Sequence, residues 1–399
     1  MTGFVLYDDV RARRFEPFAL TRPVGELRAG GELIRRRWAH VTGLDAMAFV
    51  SSPHLAAFEE FDAPPAATGD LPAGAWLVHA RCAPALSRPI PSGATQVLVG
   101  GRIAAVRLAQ PLPLATLADG SASLDQLAPA TGVSASLDGW WLDEVWDLVG
   151  HLPAMLAADA IALAPSAPAR PAGLTVLGTH QVHIDPDATV EPMVLVDATA
   201  GPVLVRRGAI VQAFTRLVGP CVVGEDAVVG GGRVACCGIG ERAKVHGEIA
   251  VTIVLGHANK GHDGFVGHSV IGRWANLGAG TITSNLKNTY GTVALWTPAA
   301  VQDTGAQFLG SLIGDHVKTG IGTRLSTGTV LGAGANVFGD AMPPRVVPPF
   351  SWGGQPGAPV FALEKFLDVA TRVMGRRAVE MSPRLRTHLA AVHAARWTV

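Results

Sequence analysis

The spacing of apolar residues divides the chain into two parts of different texture. In the first part, short apolar runs such as Phe4–Tyr7 and Gln96–Val99 alternate with segments 26–38 and 142–163, where apolar residues recur at helical spacing. Strand-like runs that alternate with helical segments predict strands and helices in separate layers. The first part is therefore predicted to be an α/β domain.

A six-residue repeat governs the second part. It places an apolar residue at every sixth position in two series, Leu204, Ile210, Val222, Val228 and Val234, and then Ile313, Leu325, Leu331 and Val337, with Arg216 and Thr319 as exceptions. Hexapeptide units with neighbouring glycines are typical of a parallel β-helix, in which each unit forms one short strand and points its apolar residue inward. A β-sandwich would instead need a sustained two-residue alternation, which this region lacks. We expect about eight or nine turns of roughly eighteen residues each.

The interruptions of this repeat predict a loop and an end to the coil. The repeat breaks between Gly247 and Gly267, which predicts a loop that protrudes from the coil. Proline pairs follow Met342, and apolar spacing within 361–397 predicts one or two helices that cap the coil. The predicted domains are residues 1–163, a proline- and alanine-rich linker at 164–173, the β-helix at 174–342 and a helical tail at 343–399.

Composition restricts the classes of partner. The 32 Lys and Arg residues balance 32 Asp and Glu residues, so no net charge attracts nucleic acid or an acidic membrane surface. Only 16% of residues are charged, which predicts extensive burial or an oligomer interface. The four cysteines contain no CxxC pair, which is typical of buried thiols in a reducing compartment. With no signal-peptide pattern and no apolar run of about 20 residues, we expect a cytoplasmic protein that does not span a membrane.

A glycine-rich run at 261–285 carries the strongest candidate chemistry. It contains His262, whose imidazole can accept a proton near neutral pH. It also contains Asn276 and Asn285, whose amides can bind hydroxyl and amide groups without charge. Each residue has a structural interpretation as well: His262 as a surface residue, the asparagines as corner residues in the left-handed conformation, and Phe265 as a packing residue.

This run resembles the acetyltransferase half of the bifunctional bacterial enzyme family that makes UDP-N-acetylglucosamine. The shared frame is Gly-His-x-x-aromatic-x-Gly, followed by Asn-apolar-Gly-Ala-Gly-Thr-Ile-Thr-x-Asn. The resemblance implies a left-handed β-helix that uses acetyl-CoA, with His262 as the general base. It implies that Asn276 and Asn285 hold the sugar and the acetyl donor, and that the backbone of Ala279 meets the thioester. Phe265, a candidate for contacting the sugar phosphate, stands where the family has a tyrosine.

The same resemblance implies a phosphate site and a homotrimer. Lys244 and Lys260 are candidates for binding the sugar phosphate, since an ammonium group pairs well with a phosphate. Ile321 stands where the family has a serine near the coenzyme, a departure at the donor site. Hexapeptide β-helices of this class form trimers with sites between neighbouring coils, and the low charge density favours such burial.

The N-terminal region resembles a shortened subfamily of the same enzymes. It shares an opening Tyr-Asp-Asp and the run Thr-Arg-Pro-Val-x-Glu-Leu-Arg, which ends at Arg28. The resemblance implies nucleotidyl transfer, with Arg22 and Arg28 contacting phosphates and with Asp8 and Asp9 holding Mg²⁺. The glycine-rich phosphate loop of related nucleotidyltransferases is missing. An Arg-Pro turn, a helical ion pair of Arg28 with Glu32 and a solvated acidic strand end are the structural alternatives.

Three functional hypotheses follow. The leading one is a sugar-phosphate transferase that N-acetylates an amino-sugar 1-phosphate, coupled to nucleotidyl transfer that gives UDP-N-acetylglucosamine. The second is a degenerate relative that binds sugar nucleotides as a scaffold, which the missing glycine loop favours. The third is a zinc enzyme that resembles γ-class carbonic anhydrases, with His257, His262 and His268 as ligands.

Overall fold

A computed structural model describes residues 3–129, 131–165, 171 and 173–398. By internal contacts the chain forms two compact units. The first comprises the residues up to Leu27, Glu32–Asp147 and Met381–Ala395, and the second comprises Arg28–Gly31, Leu148–Glu380 and the residues from Arg396. The predicted domain boundaries stay predictions, and the linker at 164–173 lies mostly outside the described residues.

Six α-helices lie along the described chain: α1 Ile34–Thr42, α2 Leu124–Leu127, α3 Asp147–Gly150, α4 Leu152–Ala162, α5 Leu363–Gly375 and α6 Pro383–Ala394. Four 3₁₀ turns accompany them, at Ala12–Arg14, Val24–Glu26, Pro53–Leu55 and Leu114–Leu117. Helix α1 ends at Gly43, which adopts the left-handed conformation (φ 67°) that a helix C-terminus favours. None of the described helices is long and apolar enough to cross a membrane.

A mixed six-stranded sheet forms the centre of the first unit. Its strands lie in the spatial order Ala46–Val50, Phe4–Tyr7, Trp76–His79, Arg102–Arg107, Gln96–Val99 and Ser134–Leu137. Phe4–Tyr7 pairs in parallel with strands on both sides and is buried throughout, as its uniformly apolar sequence predicts for a central strand. Cys82–Pro84 pairs antiparallel with Gly139–Trp141, and this unit also contains the short strand Glu32–Leu33, whereas the short strand Arg28–Ala29 belongs to the second unit. The predicted α/β domain is confirmed.

A parallel β-solenoid of about 10 turns forms the second unit. Its strands are Thr175–Gly178, Val182–Ile184, Thr189–Val190, Leu195–Ala198, Val203–Val205, Ile210–Val211, Thr215–Val218, Cys221–Val223, Val228–Ile239, Lys244–Val254, Asn259–Lys260, Val266–Gly267, Val270–Ile271, Ile282–Thr283, Ser311–Ile313, Lys318–Thr319, Arg324–Leu325, Thr329–Leu331, Asn336–Val337 and Val346–Val347. The predicted parallel β-helix is confirmed, with more turns than expected. Some turns are shorter than the repeat predicts, as the pairing of Arg233 with Glu248 and of Ile249 with Val266 shows. The coil also continues past Met342 to Val347.

The first predicted series of inward-pointing residues is offset by one position up to Val228, whereas its last member, Val234, lies in the core as predicted. The core contains Val203, Val205, Ala209, Val211, Cys221, Val223, Ala227 and Val229, whereas Ile210 is exposed and Val228 is half-buried. Because side chains alternate across a strand, an offset of one residue turns the members from Leu204 to Val228 away from the coil interior. Val222 is apolar for a different reason. It is buried outside the coil, where it packs against Gly31 on a face that α4 also covers. The second series, from Ile313 to Val337, does lie in the core.

The predicted loop between Gly247 and Gly267 is wrong. That segment continues the coil, since Ile249 pairs with Val266. The insertion lies instead between Thr283 and Ser311. Val270 pairs with Leu312 on the next coil, and the chain between Thr283 and Ser311 leaves the coil. It contains an antiparallel hairpin of Ala294–Trp296 with Val301–Asp303.

The two C-terminal helices belong to different units. Helix α5 covers the last coil, where Phe366 packs edge-on against Phe350 with ring centroids 4.9 Å apart. Helix α6 packs within the first unit, where the His388 ring contacts the carbonyl oxygen of Thr21 at 2.9 Å and packs on Phe58. The predicted helices are therefore confirmed, but only α5 caps the solenoid.

Candidate active sites

His262 lies exposed at a corner of the solenoid, residues 261–264, which we call the His262 corner. Gly264 has φ 126°, a conformation that side chains rarely adopt, so glycine allows the chain to turn there. Lys260 stabilises the His262 corner, because its Nζ donates to the backbone carbonyls of His246 (3.2 Å) and His262. The Lys260 residue is 1% exposed. Burial lowers the pKa of Lys260 to about 8. The predicted phosphate ligand Lys260 is thus engaged in holding the backbone.

The His262 corner stacks on the corner that contains Ala279. The backbone N–H of Gly280 donates to the carbonyl of Asp263 at 3.1 Å, which joins the two corners on neighbouring coils. The next coil contributes Ile321, which is 85% exposed, and Gly322, whose N–H donates to the carbonyl of Ala279 at 2.7 Å. The general base and thioester positions implied by the resemblance are therefore adjacent along one edge of the solenoid.

Phe265 and Asn285 meet at Gly267. A Cβ at Gly267 would overlap the Phe265 ring and would lie 2.8 Å from Nδ2 of Asn285, so glycine is required there. Asn285 Nδ2 donates to Nδ1 of His268 at 2.8 Å. Burial lowers the pKa of His268, which favours the neutral ring that can accept this hydrogen bond. The structural role of His268 was not predicted.

Asn276 and Lys244 lie in a separate concavity of about 360 Å³, which we call the basic pocket. It is lined by Lys244, His257, Asn259, Trp274, Ala275, Asn276 and Lys318 from the solenoid, and by Val373, Arg376 and Arg377 at the C-terminal end of α5. Asn276 bridges in parallel to Asn259 and Lys318 and has an extended backbone, so its interpretation as a left-handed corner residue is wrong. The predicted solenoid site residues thus fall into two groups, one at the His262 corner and one in this pocket.

The histidines of the zinc hypothesis have separate environments. His257 is buried, packs against Trp274 with ring centroids 4.4 Å apart and the rings tilted by 36°, and accepts a hydrogen bond from Arg273 at 3.2 Å. His268 binds Asn285, and His262 is exposed. Within the described ranges, no three His, Cys, Asp or Glu residues form a group that could hold a metal ion. One chain thus does not bring the three histidines together, and a zinc site shared between subunits stays a prediction.

Asp8 and Asp9 face different surroundings at the end of the first strand. Asp8 is buried and accepts hydrogen bonds from the Val24 N–H (3.1 Å) and the Ser51 hydroxyl (2.5 Å), and burial raises its pKa to about 7. Asp9 is bound by the Arg81 guanidinium at 2.8 Å. Burial alone would raise the pKa of Asp9, but Arg81 holds it below its ordinary value. The two carboxylates do not fit a Mg²⁺ site, because one points inward and the other is neutralised.

Arg22 and Arg28 are buried in ion pairs. Arg22 is 3% exposed and binds Glu60 through two hydrogen bonds of 2.5 and 3.2 Å. Arg28 is equally buried and binds Glu241 at 2.6 Å. Neither side chain lines the concavities described here, so the structure does not bring the two predicted phosphate ligands to an open site.

The first unit contains an open pocket of about 510 Å³, the arginine pocket, at the carboxyl ends of Phe4–Tyr7 and Trp76–His79. It is lined by Asp9, Val10, Arg11, Arg14, His79, Arg81, Gly101, Arg102, Ile103, Gly120, Ser121, Ala122, Ser123, Asp125 and Trp141. The Arg102 guanidinium lies over the Trp141 ring, 3.9 Å from its centroid. Burial lowers the pKa of His79 to about 4, so this ring is neutral. Of these residues sequence reasoning predicted only Asp9, although ligands of α/β sheets bind beyond the carboxyl ends of strands, and Arg81 lies two residues after the strand Trp76–His79.

Known proteins are similar to parts of this chain. Residues 4–166 match the family model described as sugar nucleotidyl transferase. A bifunctional sugar-1-phosphate nucleotidylyltransferase/acetyltransferase of Sulfurisphaera tokodaii is 32% identical over 100 residues, which cover 25% of this chain and 25% of that protein. The bifunctional protein GlmU of Paraburkholderia xenovorans is 31% identical over 209 residues, 46% of this chain and 41% of that protein. The chain therefore spans less than half the length of these curated relatives.

One solved structure is similar to about half of this chain. The crystal structure of a hexapeptide transferase family protein from Anaplasma phagocytophilum covers 56% of this chain and 97% of its own, at 13% identity and a TM-score of 0.27. At that score the likeness supports no argument about function.

Proposed function

We propose, on the premise that this chain belongs to the GlmU-like family, that it is a sugar-phosphate transferase. Its solenoid moves an acetyl group from acetyl-CoA to the amine of an amino-sugar 1-phosphate. The match of residues 4–166 to sugar nucleotidyl transferases and the similarity to bifunctional relatives support the premise. One observation carries the proposal: the exposed His262 stands on a corner braced by Lys260 and stacked directly on the Ala279 corner.

The proposed reaction uses His262 as general base. The substrate amine attacks the thioester carbonyl, a C–N bond forms, and the C–S bond of the thioester breaks. The imidazole of His262 takes the proton that the amine loses, and the coenzyme leaves as a thiolate that is protonated afterwards. Backbone N–H groups at the solenoid corners are suited to stabilise the oxyanion that forms during the attack, because they are fixed in direction by the coil.

The surroundings of His262 suit a sugar. Phe265 offers an aromatic ring without the tyrosine hydroxyl of the family, so it provides an apolar surface for a sugar ring. Asn285, fixed by His268, offers its carbonyl oxygen to a hydroxyl group. The exposed Ile321 next to Ala279 gives the donor side an apolar contact where the family has a serine.

A coupled assay tests this proposal. Purified protein is incubated with acetyl-CoA and a panel of acceptors, and release of the coenzyme thiol is followed. We expect turnover with glucosamine 1-phosphate and none with N-acetylglucosamine 1-phosphate, which lacks a free amine. Absence of thiol release with every amino-sugar phosphate, combined with tight binding of acetyl-CoA, would instead support the scaffold hypothesis.

Nucleotidyl transfer by the first unit is a second candidate function. The arginine pocket favours it, because Arg14 can pair with a phosphate, and Arg11 and Arg102 can do so in exchange for their shared partner Asp143. Since Asp8 and Asp9 do not fit Mg²⁺, no step is assigned to a metal here. Pyrophosphate release from UTP and N-acetylglucosamine 1-phosphate, measured with and without Mg²⁺, tests this activity; no release under either condition would contradict it.

A further inference from the structure

The basic pocket contains a column of polar side chains that runs across the coils. Lys244 pairs with Asn259, Asn259 bridges to Asn276, and Asn276 bridges to Lys318, so the four residues occupy equivalent positions on successive coils. The amide of Asn259 donates to the amide oxygen of Asn276 at 2.8 Å. The C-terminal end of α5 closes one side of this column with Arg376 and Arg377.

The charge of this pocket has one sign. Four of its lining residues are cations, Lys244, Lys318, Arg376 and Arg377, and the lining residues that the structure describes include no Asp or Glu. Lys244 and Arg376 are exposed, and neither has an ion-pair partner within the described part of the chain. A concave surface with several cations and no carboxylate creates a positive potential that favours an anionic ligand.

Two of these cations are held in place by backbone carbonyls. Lys318 Nζ donates to the carbonyls of Trp274 (2.8 Å) and His316 (3.0 Å), and burial lowers its pKa to about 7. Arg377 donates to the carbonyl of Arg242 at 3.0 Å, and burial, followed by the charge of Arg376, lowers its pKa. These lowered pKa values reflect charge that is desolvated without a counter-charge, which a bound anion would supply.

We propose that the basic pocket binds a phosphate or pyrophosphate group of a small-molecule ligand. The group lies between Lys244 and Arg376 at the open side, and Lys318 and Arg377 provide the charge behind it. The Asn259 and Asn276 amides bind the polar part of the ligand next to the phosphate. The volume of about 360 Å³ fits a phosphorylated sugar or the phosphate end of a coenzyme and is too small for a whole dinucleotide. The binding site does not depend on the proposed function, although the choice between these two ligands rests on it.

Pyrophosphate binding tests the site itself. All proteins carry Arg102→Gln, which weakens the anion binding expected in the arginine pocket, and binding is measured by calorimetry at fixed ionic strength. We expect Lys244→Gln combined with Arg376→Gln to weaken binding about tenfold or more, since two charge-assisted contacts are lost. Arg372→Gln, an exposed arginine one turn earlier on α5 and outside the pocket, is the matched control and should bind like the parent. Equal affinity in all three proteins, or no binding by the parent, would overturn the proposal.

Two further ligands distinguish the source of the phosphate. If the pocket takes the donor, the double variant weakens binding of acetyl-CoA relative to the control; binding of 3′-dephospho-CoA is weakened as well if the diphosphate is the bound group, and is not weakened if the 3′-phosphate is. If it takes the acceptor, the double variant weakens binding of glucosamine 1-phosphate instead. Loss of neither would restrict the pocket to inorganic anions and overturn its role as a ligand site. Pyrophosphate binding without acetyl transfer contradicts only the proposed function, and acetyl transfer without pyrophosphate binding contradicts only the pocket.

Discussion

Lys260 is a buried cation whose partners are backbone carbonyls. Lys260→Met would leave the carbonyls of His246 and His262 without their donor in a buried position. We expect the free energy of unfolding to fall by about 2 kcal/mol, and acetyl transfer to slow because the His262 corner loses its support. Urea denaturation measures the first effect, and Lys365→Met, an exposed lysine on α5, is the control that should change stability by less than about 0.5 kcal/mol. Equal stability of the two variants would contradict this role.

Asp8 links stability to pH. Its pKa is raised from the ordinary 3.8 to about 7, so between these values the folded protein retains a proton that the unfolded chain has lost. Stability contributed by this group is therefore present at low pH and is lost as pH rises toward 7. Asp8→Asn removes this dependence, and we expect the variant to gain on the order of 2 kcal/mol over wild type between pH 5 and pH 8. Parallel stability curves for the two proteins across this range would contradict the assignment.

The motif predicted most of its neighbours in space, although Asn276 of the same frame lies in the basic pocket, and the roles of all these residues stay predictions. His262, Phe265, Ala279 and Asn285 form one short frame, and the structure brings them to neighbouring corners. Arg22 gave no sequence signal of its buried partner Glu60, which lies on another segment. A cationic side chain in a sequence does not reveal whether it meets a ligand or a carboxylate, because that depends on tertiary packing.

At the scale of elements, α5 stabilises the end of the solenoid. Phe366 is buried between Phe350 and Phe361, with centroids 4.9 and 6.1 Å away, so Phe366→Ala should cost about 3 kcal/mol of unfolding free energy. Because α5 also carries Arg376, the same change should weaken pyrophosphate binding. Chemical denaturation measures the first effect, with Phe214→Ala, which is 74% exposed, as the control. A cost no larger than that of the control would show that α5 does not cap the coil.

The sequence predicts the repeat length of the solenoid, but it does not predict everywhere which residue of the repeat points inward. Val203 and Val205 point inward, and Leu204 between them is also apolar and buried outside the coil, because the neighbouring faces are covered. When both faces of a strand are apolar, periodicity does not identify the inner one. The insertion between Thr283 and Ser311 escaped prediction for a related reason, because its hairpin has a short apolar run, Ala294–Trp296, like those of the coil.

At the scale of the whole molecule, we expect a homotrimer with two separable activities. Light scattering should give a mass three times that of the 41.3 kDa chain.

Since the His262 corner and the arginine pocket belong to different units, Arg102→Gln should impair pyrophosphate release from UTP and spare acetyl transfer. A monomeric mass, or loss of both activities together in a folded variant, would contradict these expectations.

The central claim is that His262 is the base of an acetyl transfer, and one variant tests it most directly. His262→Ala should keep the fold, because the side chain is exposed, and should lower kcat for acetylation of glucosamine 1-phosphate by about 100-fold or more. His180→Ala, the same change at another exposed histidine of the solenoid, should leave kcat unchanged. Steady-state thiol release by wild type and both variants measures this. Full activity of His262→Ala would contradict the account.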